Sequence, residues 1–287
     1  MREKISPFIQ KLSSNHFIRD QYFISDKENI AIAHNDPLME DKHEVVKGLI
    51  HKYSNRALIK VSYQCAAHCR FCTRVRQIGN PEGTLTDKNI EDIIFYLKQN
   101  SCIDDVILSG GDPLYTPQIT TKLLQGLQTI TSIKTIRIGT RLPFHSPDSF
   151  RTKSIKDLLA LIDTIGKSMP VFMLVHIEHP DELTGETEAV IRQLRQLKIT
   201  VLSQTVFLKD INDNFETLYL LFKKLYHLGI IPYYLYHCDN VKGLEHFRGD
   251  IKKEKEIAVR LRSELSGIGC PLFVEDLEDG YGKIPVI

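Results

Sequence analysis

The sequence predicts an α/β protein folded as a partial (β/α)6, TIM-like barrel. Six short β-rich runs alternate along the 287 residues with six longer segments whose apolar residues repeat at helical spacing. The β-rich runs are apolar almost without interruption, as is typical of parallel strands that are covered on both faces. Strand–helix units in series form a parallel sheet with right-handed crossovers, and six units are fewer than the eight of a complete barrel.

Each strand and helix can be assigned from these two patterns. In the first predicted helix, apolar side chains recur at i, i+3, i+4 and i+7 from Ile90 to Leu97, and Thr86 precedes them as an N-cap. Residues that carry function in such sheets lie just beyond the carboxyl ends of the strands. The predicted strands are Ala57–Ser62, Asp105–Ser109, Thr135–Thr140, Val171–Ile177, Thr200–Phe207 and Ile230–Tyr236. The predicted helices are Asp87–Gln99, Gln118–Thr129, Ser154–Ile165, Glu186–Leu197, Asn214–Leu228 and Ile251–Leu265.

Three regions are predicted along the chain. Residues 1–50 form an irregular N-terminal extension that packs on the barrel and holds a short helix near Pro7–Leu12. Residues 51–269 form the barrel, and residues 270–287 form a strand and a tail that carries Lys283.

The composition excludes several classes of protein. Lysine and arginine total 37 against 36 aspartate and glutamate, a net charge of +1, which is unlike a nucleic-acid coat protein or a polybasic membrane anchor. No apolar run approaches the roughly 18 residues of a membrane span, and the first residues lack the apolar core of a secretory signal. We therefore expect a cytoplasmic protein that binds neither nucleic acid nor membrane.

Three of the six cysteines are clustered, which indicates a metal site or catalysis in a reducing compartment rather than disulfides. Cys65, Cys69 and Cys72 follow the first predicted strand with the spacing C-x3-C-x2-C. Three thiolates on one loop can hold three irons of a 4Fe–4S cluster and leave the fourth iron open to a small chelating molecule. The spacing also leaves open a zinc site with His68 as the fourth ligand, or three buried cysteines without a metal.

The cysteine spacing after the first strand of a (β/α)6 pattern resembles the radical S-adenosylmethionine superfamily. Within that superfamily the chain is similar to the lysine 2,3-aminomutase family, from about Asp36 to Val286 and with the motifs in the same order. The motifs are GLIHKY (48–53), CRFCTR (69–74), SGGDPL (109–114), RIGTR (137–141), His179-Pro180, Asn212-Asp213, PYYLYHCD (232–239), GLEHFR (243–248) and GKIP (282–285). The resemblance implies a partial barrel of the radical S-adenosylmethionine type, a 4Fe–4S cluster, S-adenosylmethionine and pyridoxal 5′-phosphate.

S-adenosylmethionine is implied to bind the open iron through its amino and carboxylate groups. Glycines after the second strand allow the backbone to approach a cofactor closely, and Asp112 can accept a hydrogen bond from the methionine ammonium. The alternative is that Asp112 caps the turn that begins at Pro113. His176 and Gln204 correspond to strand ends that face the cofactor in the family, although each also suits an ordinary buried polar group. The residues implied to bind S-adenosylmethionine are Ser109, Gly110, Gly111, Asp112, His176 and Gln204.

Pyridoxal phosphate is bound in the family as an imine to a lysine, and Lys283 corresponds to that lysine. Flanking glycines in GYGKIP let the backbone approach a cofactor, although Asp279 and Tyr281 interrupt the longer glycine run of the family. A solvated tail lysine is the alternative. The phosphate is implied to bind Lys52 and Arg56, with lysine in place of the family's arginine at the first position.

The resemblance also implies how an amino-acid substrate would be recognised. Arg74, two residues after Cys72, corresponds to the arginine that pairs with the substrate carboxylate. Asp239 and Asp276 correspond to two aspartates that bind the ε-ammonium of lysine, and two carboxylates neutralise a buried ammonium. The alternatives are a turn residue for Asp239 and a surface acid for Asp276.

The activity implied is that of an isomerase that moves the α-amino group of L-lysine to C3 and gives β-lysine. A related branch makes β-lysine for the modification of an elongation factor, but CTR at residues 72–74 departs from its usual CFR. A radical enzyme for another basic amino acid, or one that has lost pyridoxal phosphate, is a further alternative. A non-catalytic iron–sulfur or zinc protein would account for the cysteines but not for Arg74, the aspartates or Lys283.

The implied partners are a small amino acid and an electron donor such as flavodoxin or ferredoxin. The family's C-terminal zinc segment at a subunit interface has no counterpart in this sequence, so both a monomer and a dimer remain open. The remaining histidines and cysteines considered, which we interpret as structural, are His237, His246, Cys102, Cys238 and Cys270.

Overall fold

In the residues that the computed structural model describes, 1–29, 35–277 and 282–286, ten strands form one sheet whose order follows the chain. The strands are β1 (Glu44–Val46), β2 (Leu49–Tyr53), β3 (Arg56–Ser62), β4 (Asp105–Gly110), β5 (Thr135–Thr140), β6 (Val171–His176), β7 (Thr200–Val206), β8 (Ile231–Tyr236), β9 (Leu272–Leu277) and β10 (Gly282–Pro285). The α-helices are α1 (Pro7–Leu12), α2 (His16–Arg19), α3 (Asp87–Gln99), α4 (Pro117–Leu127), α5 (Leu142–His145), α6 (Lys153–Gly166), α7 (Gly185–Leu194), α8 (Phe215–His227) and α9 (Ile251–Glu264). None of the helices in these residues is long and apolar enough to cross a membrane.

The six predicted strands are confirmed as β3 to β8, which pair in parallel with a helix between each pair. The predicted α3 is also confirmed, and Thr86 caps it by exchanging hydrogen bonds with Asn89. Alternate side chains of the strands, such as Leu108 and Ile138, are fully buried in one core beneath the helices. Because side chains alternate along a strand, their neighbours face the partly open interior of the barrel.

The sheet is larger than the sequence predicted, because two strands are added at each end. β1 and β2 pair antiparallel and lie next to β3, so the N-terminal segment that was expected to be irregular contributes a hairpin to the sheet. The border expected at residue 50 between this segment and the barrel lies inside β2. Strands of three to five residues are too short to show a periodic pattern. At the other end β9 continues the parallel sheet and β10 returns antiparallel to it. Lys283 therefore lies on a strand and not on a loose tail.

The two ends of the sheet come close together. A Cβ atom placed on Gly282 of β10 would lie 3.6 Å from Arg56 Nη2 and 3.6 Å from Tyr53 Oη, on the β2–β3 hairpin. The side chains of Tyr53 and Arg56 therefore lie against the backbone of β10. This contact places the strand that carries Lys283 beside Arg56.

The N-terminal extension packs on the loop that follows β3. Ile9, Ile18 and Tyr22 are buried in a small apolar cluster with Ala67, and Cys69 packs against its edge. The loop with the three cysteines is therefore held between the extension and the barrel.

Candidate active site at the carboxyl ends of the strands

The cysteine loop is fixed by hydrogen bonds from the start of the chain. Lys4 Nζ donates to the carbonyl of Cys65 at 2.6 Å, and the amide of His68 donates to the carbonyl of Lys4 at 2.9 Å. His68 Nδ1 lies 2.8 Å from the carbonyl of Arg2, to which it must donate, because a carbonyl oxygen only accepts. These bonds set the backbone of the loop at the carboxyl end of β3.

The three thiols lie close enough together on one loop that charge on one raises the pKa of another. Burial raises the pKa of all three, that of Cys69 to about 12. A cationic side chain opposes this rise at each cysteine: Lys4 at Cys65, Arg141 at Cys69 and Arg74 at Cys72. Partly buried thiols that each lie near a cation are suited to bind a metal centre as thiolates.

The donor set fits an iron–sulfur cluster better than a single metal ion. Among the described residues, no three side chains of His, Cys, Asp or Glu are grouped as a single metal ion requires. In a cubane each thiolate binds a different iron, so the sulfur atoms surround the cluster and do not converge on one point. His68 donates from Nδ1 to the carbonyl of Arg2, and its buried Nε2 has no hydrogen-bond partner among the described residues, so this contact leaves one ring nitrogen able to bind a metal. The cluster is favoured by the lack of a converging donor set among the described residues, and the position of His68 does not decide between the two.

Sequence reasoning gave no role to the residues that surround Cys69. Arg141 Nη1 donates to the sulfur of Cys69 at 3.3 Å, and His145 Nε2 lies 3.4 Å from the same atom. Burial and the charge of Arg141 hold the pKa of His145 well below its usual range. Arg141 ends the RIGTR motif, which was the one signal in the sequence that could have drawn attention to it.

Asp112 caps the turn that begins at Pro113, which was the alternative to a role in binding S-adenosylmethionine. Its carboxylate accepts from the amide of Leu114 at 3.0 Å, from the hydroxyl of Thr140 at 2.9 Å and from the amide of Arg141 at 2.8 Å. Burial nevertheless raises its pKa. These bonds join β4 to β5, so most of the acceptor capacity of Asp112 is used inside the protein.

The glycines beside Asp112 make a close contact that the sequence did not indicate. A Cβ on Gly110 would lie 2.6 Å from the carbonyl oxygen of Ser62, and one on Gly111 would lie 2.3 Å from that of Gln64. Only glycine allows these backbones to approach, and Gly110 also has a positive φ of 102°. The close approach is to the segment that leads into Cys65, so these glycines set the position of the cysteine loop.

His176 and Gln204 are paired neighbours on β6 and β7. His176 Nε2 lies 2.8 Å from Glu178 Oε1, and its ring meets the edge of Phe71 from the cysteine loop. Gln204 donates to the hydroxyl of Tyr236 on β8 at 2.7 Å. Both side chains are partly exposed at the carboxyl ends of their strands, as predicted.

Arg74 is paired with a glutamate that the sequence did not single out. Its Nε and Nη2 atoms donate to both carboxylate oxygens of Glu40, at 2.9 and 2.5 Å, and Nη1 donates to Ser109 Oγ at 3.3 Å. Glu40 is buried, and the charge of Arg74 lowers its pKa against the opposing effect of burial. The predicted carboxylate-binding arginine thus already holds a carboxylate of the N-terminal extension.

Lys283, Asp276 and Asp239 lie together at the end of β8. Lys283 Nζ donates to Asp276 Oδ2 at 2.9 Å, and the two residues are directly opposite on β10 and β9. Asp239 and Asp276 both line a cavity of about 320 Å³, together with His237 and Arg248. The ammonium of Lys283 is therefore paired with Asp276, one of the two aspartates that were predicted to bind a substrate ammonium.

Tyr236 connects this group to the cysteine side of the barrel. Lys283 Nζ lies 5.7 Å from the centre of the Tyr236 ring, and the hydroxyl of Tyr236 accepts from Gln204. Gln204 neighbours His176, which touches Phe71 of the cysteine loop. The predicted cluster ligands and the predicted cofactor lysine thus lie on the same edge of the sheet, joined by a short series of contacts.

The two predicted phosphate-binding residues flank one tyrosine. The Arg56 guanidinium lies 3.8 Å above the ring of Tyr53, and Lys52 Nζ lies 5.8 Å from it. Lys52 also donates to the carbonyl of Leu38 at 3.3 Å. Arg56 adjoins Gly282, next to Lys283, whereas Asp279 and Tyr281 lie outside the described residues.

The residues interpreted as structural are mostly enclosed. His237 Nδ1 is 2.6 Å from Glu254 Oε2, and both side chains are buried. Cys238 and Cys270 are buried, whereas Cys102 is exposed. His237 also lines the cavity beside Asp239, which the sequence gave no reason to expect.

Replacing Asp239 with asparagine should stabilise the protein at alkaline pH. Burial, reinforced by the charge of Asp276, raises the pKa of Asp239 to about 7, against about 3.9 for an unfolded aspartate. Between these values the folded state holds a proton that the unfolded state releases, so wild-type stability falls as pH rises. Asp239→Asn removes this loss, and its Tm should exceed that of the wild type by more at about pH 8 than at about pH 5.

Thermal unfolding of the protein without added cofactors measures this effect. Asp157→Asn, which removes a carboxylate from the exposed face of α6, is the matched control and should leave the pH profile unchanged. A stability gain of Asp239→Asn that grows towards acid pH would contradict the assignment.

Sequence comparisons show which proteins this chain is similar to. Residues 59–222 match the model of the Radical SAM superfamily. A protein of Buchnera aphidicola named L-lysine 2,3-aminomutase is 34% identical over 94% of this chain and 74% of its own length. The L-lysine 2,3-aminomutase of Bacillus subtilis is 36% identical over 87% of this chain and 52% of its own length.

The chain is shorter than many of its relatives. It spans 64% of the length of a relative from Aquifex aeolicus, to which it is 39% identical, and 57% of the L-lysine 2,3-aminomutase of Methanococcus maripaludis.

Solved structures share the fold at low sequence identity. A radical SAM methyltransferase from Sphaerobacter thermophilus superposes with a TM-score of 0.56 and 17% identity, over 79% of this chain and 68% of that one. SuiB of Streptococcus suis gives a TM-score of 0.55, also at 17% identity, over 93% of this chain and 61% of that one. With the cysteine loop, the partial barrel and the ordered motifs, these similarities show that the chain belongs to the lysine 2,3-aminomutase family of the radical SAM superfamily.

Proposed function

We propose that the protein is an isomerase that converts L-lysine to β-lysine by moving the α-amino group to C3. The observation that carries the proposal is the ammonium of Lys283 at Asp276, beside Asp239, in a site at the carboxyl ends of the strands. A site that holds one lysine ammonium on a carboxylate, with a second carboxylate lining the same cavity, is suited to the ammonium of a lysine substrate. The relatives named L-lysine 2,3-aminomutase support the same activity.

The cofactors would be held by residues at the carboxyl ends of the strands and on the adjoining β10. Cys65, Cys69 and Cys72 would hold a 4Fe–4S cluster with one open iron. The reduced cluster supplies the electron that cleaves S-adenosylmethionine to a radical, and pyridoxal phosphate carries the migrating amino group. Lys283 would hold the pyridoxal, with Lys52 and Arg56 at its phosphate. Ser109, Gly110, Gly111, Asp112, His176 and Gln204 would surround S-adenosylmethionine, with Asp112 and the glycines acting mainly by positioning the loops.

The two ends of the substrate would be bound by charges that the protein already pairs internally. Arg74 would bind the substrate carboxylate and share its guanidinium with Glu40, because Nη1 is directed to Ser109 and not to that glutamate. Asp276 would bind the ε-ammonium once Lys283 holds the cofactor. The Lys283–Asp276 pair is thus exchanged for one with the substrate, whereas the Arg74–Glu40 pair is kept, and both arrangements limit the desolvation cost of binding.

Product analysis tests the activity directly. Protein reconstituted under nitrogen with iron, sulfide, pyridoxal phosphate, S-adenosylmethionine and dithionite should convert L-lysine to β-lysine. Arginine and ornithine assayed in parallel separate the alternative of another basic amino acid. Recovery of only unreacted lysine from protein with a full cluster and bound pyridoxal would contradict the proposal.

Borohydride reduction should attach a pyridoxyl group to Lys283. The amine lies on a fixed strand beside Arg56, so a single attachment site is expected in peptide mass analysis. Lys283→Arg should lose the modification, whereas Lys47→Arg, on the β1–β2 turn, should retain it. Attachment to Lys60, a fully buried lysine paired with Glu44, would contradict this assignment.

The same reaction would serve the elongation-factor branch, and Thr73 in place of that branch's phenylalanine weighs against it. We further propose a cytoplasmic enzyme that receives electrons from a flavodoxin or ferredoxin. The six cysteines, which are all free thiols, support a reducing compartment.

A further inference from the structure

Cys69 differs from the other two cysteines in what surrounds its sulfur. Two side-chain nitrogens approach this atom, Arg141 Nη1 at 3.3 Å and His145 Nε2 at 3.4 Å. Within the described parts of the chain, no side chain donates a hydrogen bond to the sulfur of Cys65 or Cys72. The side-chain donors are therefore concentrated on one ligand.

The guanidinium of Arg141 is held rigidly beside the sulfur. Its Nη2 atom donates to Glu182 Oε2 at 2.8 Å and to Gln21 Oε1 at 2.6 Å, and all but 6% of the arginine side chain is buried. The rings of Phe71 and Tyr22 lie 4.9 and 5.4 Å from its central carbon. Four groups from three parts of the chain thus fix one cation at Cys69.

His145 is placed just as firmly, at the end of α5. Its side chain is 1% exposed, Ser6 donates to its backbone carbonyl, and its ring meets the edge of Tyr22 at 5.4 Å. Nδ1 is buried and has no partner among the described residues. A thiolate only accepts hydrogen bonds, so the neutral ring that carries its proton on Nε2 is the form that satisfies Cys69.

We propose that Arg141 and His145 are positioning residues that raise the reduction potential of the cluster through the sulfur of Cys69. The inference rests on the proposed function, because it assumes that the three cysteines hold the cluster. One-electron reduction adds a negative charge to the cluster, and N–H donors and a fixed cation stabilise that charge more than they stabilise the oxidised form. Radical chemistry needs the reduced form of the cluster, so Arg141 and His145 would make its one-electron reduction more favourable.

A redox titration followed by electron paramagnetic resonance tests the proposal on the cluster-loaded protein without lysine. His145→Leu removes the donor, whereas His145→Gln can place an amide N–H near the position of Nε2. Relative to wild type, His145→Leu should lower the equilibrium constant for reduction about tenfold, which is about 59 mV for one electron. His145→Gln should stay within a few-fold of wild type. Tyr22→Phe keeps the ring that packs on His145 and is the matched control, with no shift expected.

Arg141→Lys is the second variant, because lysine keeps the charge but loses the forked contact with Glu182 and Gln21. Its potential should also fall, by less than that of His145→Leu. Unchanged potentials in both variants would overturn the proposal. Loss of the cluster from His145→Leu but not from His145→Gln would also overturn it, since His145 would then act in assembly. Because no substrate is present, a failure to make β-lysine leaves this result unaffected, whereas a wild-type protein that binds no cluster would overturn both proposals.

Discussion

Replacing Cys69 with serine is expected to abolish cleavage of S-adenosylmethionine, the largest effect of any single change in this protein. The three cysteines lie on one loop whose backbone is fixed by Lys4 and by the segment beside Gly111. Serine is close in size to cysteine, so the fold should tolerate it. Its hydroxyl is a poor ligand for iron, and a cluster with only two thiolate ligands is not expected to stay bound.

The measurement is the formation of 5′-deoxyadenosine under reducing conditions, with iron and sulfide content determined on the same sample. Cys102→Ser is the matched control, because this cysteine is exposed and lies after α3, away from the loop. Activity and iron content should be unchanged in the control and at background in Cys69→Ser. Full cleavage activity in Cys69→Ser would show that the cysteine loop does not hold the cluster.

Asp276→Asn is expected to give the second largest effect, a loss of about 10²- to 10³-fold in kcat/KM for L-lysine. The carboxylate is 12% exposed, so a bound substrate would bury its ammonium against it. Removal of one partner from a buried charge pair typically costs about 2–5 kcal/mol. Asparagine keeps the size of the side chain but cannot neutralise an ammonium. Most of the loss should therefore appear in the binding of the distal end of the substrate.

A substrate without the distal ammonium tests this assignment. The wild type should strongly prefer lysine to 2-aminohexanoate, whereas Asp276→Asn should lose most of that preference. Glu275→Gln is the matched control, since it removes the neighbouring carboxylate of β9, which is 3.7 Å from Arg248. The control should keep the preference for lysine. An Asp276→Asn variant that still discriminates as the wild type does would refute the ammonium site.

The pyridoxyl content of Asp276→Asn separates substrate binding from cofactor binding. Lys283 loses its ion-pair partner in this variant but remains on β10, where backbone pairing with β9 fixes its position. The variant should therefore still be modified on Lys283 after borohydride reduction.

The barrel could be predicted because its strands and helices each carry a periodic signal. β3 to β8 and the helices between them are long enough for alternation and helical spacing to be read, and α3 has the predicted bounds. The added strands β1, β2 and β10 have only three to five residues, and their pairing depends on the edges that the barrel leaves free. Short strands of this kind are specified by tertiary contacts more than by local pattern.

The proximity of the candidate site residues could be predicted only where they lie on or directly after strands of the sheet. Asp239, Asp276 and Lys283 are 44 residues apart in sequence from first to last, yet β8, β9 and β10 place them side by side. The role of Asp112 as a cap was one of two interpretations, and hydrogen-bond geometry decided between them.

The sequence by itself determined the class of fold, the family and the spacing of the three cysteines predicted to be ligands, because these are encoded in spacing and in the order of motifs. The tertiary structure alone decided the partners of each charge: Glu40 at Arg74, Lys283 at Asp276, and Arg141 with His145 at Cys69. These partners come from parts of the chain that are distant in sequence. Electrostatic and hydrogen-bond energies depend on distances of a few ångströms and on burial, and neither quantity is fixed until the chain has folded.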